Sequence, residues 1–276
     1  MKWTPGGRSP NLEDRRGRGF GAPLGIGGGL VTLILALLFG PGILEQGDGG
    51  YAGTEANGEV AIADSAREEP MVQFVSFVLD DVQSTWGTVF QRSGSQYRPA
   101  NLVLFRDGTQ SGCGVGQAAM GPFYCPLDEK VYLDLSFFAE LDRRFGAPGD
   151  FAQAYVIAHE LGHHVQHLMG TAEQVRNIQR NRPSMANDAS VRLELQADCY
   201  AGVWAHSAAE RGKLDVGDRE EGRGAASAVG DDRIPERTTG RVNVDSFTHG
   251  SAQQRMQWFN RGYETGDPNA CNTFDQ

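Results

Sequence analysis

FAQAYVIAHELGHHVQHLMG, running from Phe151 to Gly170, contains His159, Glu160, Leu161, Gly162 and His163, an H-E-x-x-H pattern. In a helix, residues four apart share a face, so His159 and His163 point at one ion. Glu160 projects about 100° round the helix, beside that ion rather than onto it. The spacing suits two neutral imidazoles on zinc and a carboxylate that takes a proton from metal-bound water. So short a pattern also arises by chance in helices, and the rest of the chain has to supply a third ligand.

A catalytic zinc ion usually takes three protein ligands and keeps a fourth position open. A third histidine in the continuation H-x-x-G-x-x-H would need glycine and histidine where Gln166 and Met169 stand. His167 extends the row of His159 and His163, but lies about 12 Å along a straight helix from His159, too far to share one ion. It reads as a surface or rim residue. His164 is about 100° off the metal face and reads as a hydrogen-bonded packing residue. There remains a carboxylate from a second helix. ELQAD, within a helical pattern from Ala189 to Arg211, places Glu194 and Asp198 four apart on one face. Glu194 is the candidate third ligand, and Asp198 the candidate acceptor for the outer N–H of a ligating histidine. The alternative, two acids on a solvated face, fits poorly with neighbours as apolar as Leu193, Leu195, Tyr200, Val203 and Trp204. Buried carboxylates need cationic or hydrogen-bonding partners, and zinc with histidine provides both.

The chain has 276 residues and a net charge of −10. Residues 1–23 hold five basic and two acidic side chains, a balance of +3 that leaves −13 on the remainder. An acidic body excludes nucleic acid as the partner, since phosphates demand a basic surface. Residues 1–23 are rich in Gly, Pro and Arg and read as a disordered tail. Residues 24–44 (LGIGGGLVTLILALLFGPGIL) carry no charge and reach the length of a bilayer span. Arg15, Arg16 and Arg18 precede that stretch, while Glu45 and Asp48 follow it. The positive-inside rule then puts the N-terminus in the cytoplasm and the body outside the cell membrane as a single-pass protein. A cleaved signal peptide is the rival, but no small-x-small cleavage site follows the apolar run, which favours a retained anchor. Residues 45–69 read as a flexible linker, and the folded domain is expected over residues 70–276.

Within that domain Met71–Phe90 shows helical spacing, with the adjacent Asp80 and Asp81 on a solvated side. Asn101–Phe105 and Val131–Leu135 read as strands, and about six helices accompany them, an α+β pattern. The cysteines are Cys113, Cys125, Cys199 and Cys271, with no C-x-x-C pair. Outside the cytosol they imply two disulfides of unfixed connectivity; a short Cys113–Cys125 loop is favoured, which would leave Cys199–Cys271.

AHELGHHVQ, ELQADCYAGVWA, GPFYCPLDEKVYLDLSFF and DSFTHGSAQQRMQWFNRGYE, in that set of separated motifs, resemble the neutral zinc metallopeptidase family of bacterial membrane proteins. The resemblance covers nearly the whole chain. HELGH with ELQAD is similar, more distantly, to the prenyl-protein and heat-shock membrane proteases. It implies a zincin-like fold, zinc on His159, His163 and Glu194, and catalysis by Glu160 on a peptide or protein substrate. It also makes His249, in SFTHGSAQQR, a candidate oxyanion donor, against a plain role at a helix start. Arg255 becomes a candidate orienter of Glu194 or Asp198. Asp231 and Asp232 are given no catalytic part. VYLDL is expected to be the edge strand that adds an extended substrate to the sheet, stiffened by a Cys113–Cys125 bridge. The rival function is a catalytically idle envelope protein that holds zinc and binds a partner. Because Glu160 is present and no fourth protein ligand is evident, the enzyme is favoured.

Overall fold

The computed structural model describes residues 1–17, 57–233 and 246–275. Strand β1 (Leu12–Asp14) precedes the long helix α1 (Asn57–Arg92). Strands β2 (Asn101–Phe105), β3 (Gly108–Ser111), β4 (Gly114–Gln117), β5 (Phe123–Cys125) and β6 (Lys130–Asp134) follow. Helices α2 (Ser136–Arg143), α3 (Asp150–Leu168), α4 (Thr171–Asn181), α5 (Ala186–Glu210), α6 (Asp218–Ala228) and α7 (Ala252–Thr265) come after them. The α+β pattern is therefore present, with helices outweighing two small sheets.

The main sheet has the order β1-β2-β6-β5. β1 and β6 run parallel to β2, and β5 runs antiparallel to β6. Alternation assigns the faces. Leu102, Leu104, Val131 and Leu133 join the main core with the helices, while Val103, Phe105, Cys125 and Tyr132 form a second cluster on the other face. That second face is covered by the β3–β4 hairpin, tied to β5 by the Cys113–Cys125 disulfide.

Helix α3, which carries H-E-x-x-H, is buried around nearly its whole circumference. A helix of that kind has to lie inside the fold rather than on it. Its neighbour α5 approaches at the motif glycine: a Cβ on Gly162 would stand 3.1 Å from the Ala197 carbonyl oxygen. α5 and α7 cross still more closely, because a Cβ on Gly262 would come within 1.9 Å of the Cys199 carbonyl oxygen. The Cys199–Cys271 disulfide fastens the chain beyond α7 to α5. Helix α5 is thus held close to α3 on one side and to α7 on another.

Several expectations are corrected. Residues 1–17 are not a disordered tail: Leu12 pairs with Leu102 and Asp14 with Leu104. Arg16, only 2% exposed in its side chain, bonds Asp14 and Glu68. The linker and domain boundary also move, since α1 begins at Asn57 and runs through Pro70. Glu68 and Glu69, before Pro70, are already held by Arg8, Arg16 and Arg106. Asp81 is buried rather than solvated; Arg211 grips it through two bonds of 2.6 and 2.8 Å, and Trp204 Nε1 donates to it at 2.9 Å. Finally, β6 is an interior strand and β5 is the edge. The expected anchor, 24–44, lies outside the described residues. No helix among the described residues is long and apolar enough to cross a membrane.

Candidate metal centre

The spacing of four on α3 does what helical geometry requires: His159 and His163 face the same point on α5. His159 Nε2 lies 3.2 Å from Glu194 Oε2, and His163 Nε2 lies 3.3 Å from Glu194 Oε1. One donor atom from each of the three residues falls within 4.8 Å of the other two. Two imidazole nitrogens and a carboxylate oxygen are the donor set of a catalytic zinc ion, which keeps one position open. The outer nitrogens fit that role as well. His159 Nδ1–H donates to Asp198 Oδ1 at 2.9 Å, and His163 Nδ1–H donates to Gln166 Oε1 at 2.8 Å, so both Nε2 lone pairs are directed inward.

Asp198 is fully buried and heavily bonded. Arg255 Nε and Nη2 donate to its two oxygens at 2.8 and 2.9 Å, and the Tyr155 hydroxyl makes a short hydrogen bond to Oδ1. Arg255, on α7, therefore orients Asp198, and it lies 3.9 Å from Glu194 Oε2. Burial would raise the Asp198 pKa, but Arg255 and His159 hold it below the ordinary range. Burial would lower the His159 pKa, yet the Asp198 and Glu194 carboxylates push it up to about 10. His163 is likewise raised against burial, by Glu194. Glu194 itself is held well below its ordinary value by the two imidazoles despite its burial. The Glu194 and Asp198 carboxylates thus set a negative field at the two imidazoles, one that favours a cation there.

Glu160 lines the same cavity as His159, His163 and Glu194, a space of about 470 Å³ whose walls are mostly apolar. Tyr124 of β5, Val115 of β4, Phe137 of α2 and His249 also line it. His249 Nδ1–H donates to Asp231 Oδ1 at 3.1 Å. The other oxygen of Asp231 accepts the backbone N–H groups of Thr248, His249 and Gly250 at 2.7, 2.6 and 3.1 Å. Burial would lower the His249 pKa, but the Asp231 bond and the Glu194 charge raise it. Sequence reasoning gave Asp231 no part in the site; the structure makes it the group that holds His249. Asp232 caps the start of α7 through the Ala252 N–H at 2.7 Å.

The two spare histidines stay off the metal point, as expected. His164 Nε2–H donates to the Arg98 carbonyl at 2.6 Å, so its Nδ1 accepts the Tyr124 hydroxyl at 2.9 Å. That bond ties edge strand β5 to the motif helix. His167 lies at the rim, 3.3 Å from Glu129. In the sequence Gln166 stands out only as the residue that breaks a third-histidine pattern. Its position three residues beyond a ligating histidine, on the same face of α3, was the available signal.

Comparison with known proteins places the whole chain. The chain is 46% identical over 294 residues to Uncharacterized protein YpfJ of Escherichia coli strain K12, covering 99% of each chain. It is 46% identical over 189 residues to Uncharacterized protein Rv2575 of Mycobacterium tuberculosis strain H37Rv, covering 64% of this chain and 63% of that one. No solved structure matches it. The family described as putative neutral zinc metallopeptidase matches residues 1–274. The chain, with two histidines and a glutamate converging on one point, belongs to that family, and its metal is zinc.

Proposed function

We propose that this protein is a membrane-attached zinc endopeptidase in which Glu160 is the general base. The observation that carries the reading is the convergence of His159, His163 and Glu194 with Glu160 in one cavity. Zinc held by those three residues supplies Lewis acidity, which makes water acidic near neutrality and polarises a carbonyl. Glu160 accepts the proton of the attacking water and delivers it to the departing amine. His249, held by Asp231 and with its pKa raised by that bond and by the Glu194 charge, donates to the oxyanion in its protonated form from the cavity wall. Asp198, Tyr155 and Arg255 hold the His159 ring. The substrate chain lies along the free edge of β5, pairing with Phe123–Cys125, and its side chains enter the apolar cavity. The β3–β4 hairpin and its disulfide form the outer rim of that groove.

Two disulfides support a body outside the reducing cytosol. The apolar stretch 24–44 supports attachment to a bilayer. A single pass would put residues 1–17 and the body on opposite sides, whereas β1 is paired with β2. We therefore place the N-terminal segment on the same side as the body. Lys2 and Lys213 report on this directly, because the Lys2 backbone N–H bonds the Lys213 carbonyl at 2.7 Å. In sealed, oriented vesicles an impermeant amine reagent should reach both lysines or neither; labelling of one alone would restore the single pass.

The activity is tested with full-length protein and a mixed peptide library, with and without a zinc chelator. Zinc-dependent cuts within peptides are expected. A folded, zinc-loaded protein that cuts nothing would point instead to an envelope protein that holds zinc and binds a partner.

A further inference from the structure

The two ligating histidines are held by different chemistry. His159 leans on a carboxylate within a charged cluster. His163 leans on Gln166, a neutral amide with no exposure to solvent. Gln166 Nε2 donates to the Leu193 carbonyl at 2.6 Å and to Gln196 Oε1 at 3.0 Å. Gln196 Nε2 in turn donates to the Cys271 carbonyl at 3.1 Å. Both ends of this relay are backbone carbonyls, which only accept. The Cys271 carbonyl forces the amide of Gln196 to present its oxygen to Gln166. The Leu193 carbonyl and Gln196 then force Gln166 to present both N–H groups to α5 and its own oxygen to His163. A rotated Gln166 amide would set two oxygens 2.6 Å apart at Leu193. His163 is left with one neutral form, a proton on Nδ1 and a lone pair on Nε2.

The relay also spans the helices that build the centre. Gln166 follows His163 on α3, while Leu193 and Gln196 flank Glu194 on α5. One side chain therefore fixes the ring of one ligand and the distance from its helix to the helix of another. We infer that Gln166 is a positioning residue for zinc: it selects the His163 tautomer and clasps the two ligand-bearing helices together. The Cys199–Cys271 disulfide anchors the far end, because it holds the Cys271 carbonyl that starts the relay. This inference rests on the reading of His159, His163 and Glu194 as the zinc ligands.

The test compares full-length wild type with Gln166→Met, which keeps the length of the side chain and removes every hydrogen bond. Zinc affinity is measured at neutral pH by competition with a chelator. Removal of a group that orients a metal ligand costs about 10- to 100-fold in affinity, and a loss in that range is expected. A folded Gln166→Met protein that binds zinc within twofold of wild type would overturn the inference. A second measurement needs no variant. Long-range ¹H–¹⁵N correlation spectra of zinc-loaded wild type should show His163 protonated on Nδ1, and a zinc-bound His163 without that proton would equally overturn it. Wild type that binds no zinc would be a different result, against the ligand assignment itself.

Discussion

Replacing Arg255 by Met separates the charge network of the metal centre from simple packing. The methionine retains most of the aliphatic stem and removes the guanidinium that bonds both oxygens of Asp198, at 2.8 and 2.9 Å. It also removes the donor to the Val229 carbonyl at 3.2 Å. Asp198 is fully buried and Arg255 is 4% exposed, so solvent does not screen the loss. Removing one member of a buried pair costs about 3–5 kcal/mol. His159 still bonds Asp198, which places the expected cost at about 3 kcal/mol, the low end of that range. At about 2–4 °C per kcal/mol for a domain of this size, the apparent melting temperature should fall by roughly 6–12 °C. The assay is thermal unfolding of metal-free, disulfide-intact protein at neutral pH. Arg255→Lys, which keeps a charge but not the two-pronged geometry, should fall between. A drop below about 2 °C for Arg255→Met would show that the pair does not carry the energy its burial implies.

Zinc affinity should rise with pH. The carboxylates beside His159 push its pKa up to about 10, so below that pH zinc binding must release its proton. Each displaced proton contributes about tenfold in affinity per pH unit, and chelator competition at pH 6.5, 7.25 and 8 should show at least that slope; a flat profile would count against the proton-filled centre. His249→Ala should lower kcat by about 10²- to 10³-fold with little change in the Michaelis constant. Asp231→Asn should follow it in direction by less, and an unchanged kcat in both would remove His249 from the chemistry. Replacing Cys113 and Cys125 together by Ser should loosen the rim beside β5 and raise the Michaelis constant for peptides. Unchanged kinetics and stability would assign that bridge no part in substrate binding.

What was legible in the chain was local or periodic. His159, Glu160 and His163 announce themselves through helical spacing, and Glu194 and Asp198 through two acids four apart in an otherwise apolar helix. The Cys113–Cys125 bridge follows from a short loop. What escaped depends on partners distant in sequence. β1 is three residues long and has no alternating run of its own; it exists because Leu12–Asp14 meets β2 some ninety positions later. β5 is equally short and carries little strand signal, whereas the longer β6 reads clearly as a strand but lies inside the sheet. Asp81 looked solvated because Arg211, Lys213 and Trp204, its partners, lie far along the chain. Gln166 and Asp231 take their roles from the histidines they touch, and for Asp231 that partner lies 18 positions along the chain.

Glu160→Gln tests the central claim most directly, because it removes the base and leaves every proposed zinc ligand in place. Zinc content and peptide cleavage are measured together on full-length wild type and variant. The predicted result is one equivalent class of zinc loading in both proteins and cleavage at least about 10²-fold slower in the variant. Cleavage at the wild-type rate by zinc-loaded Glu160→Gln would contradict the account.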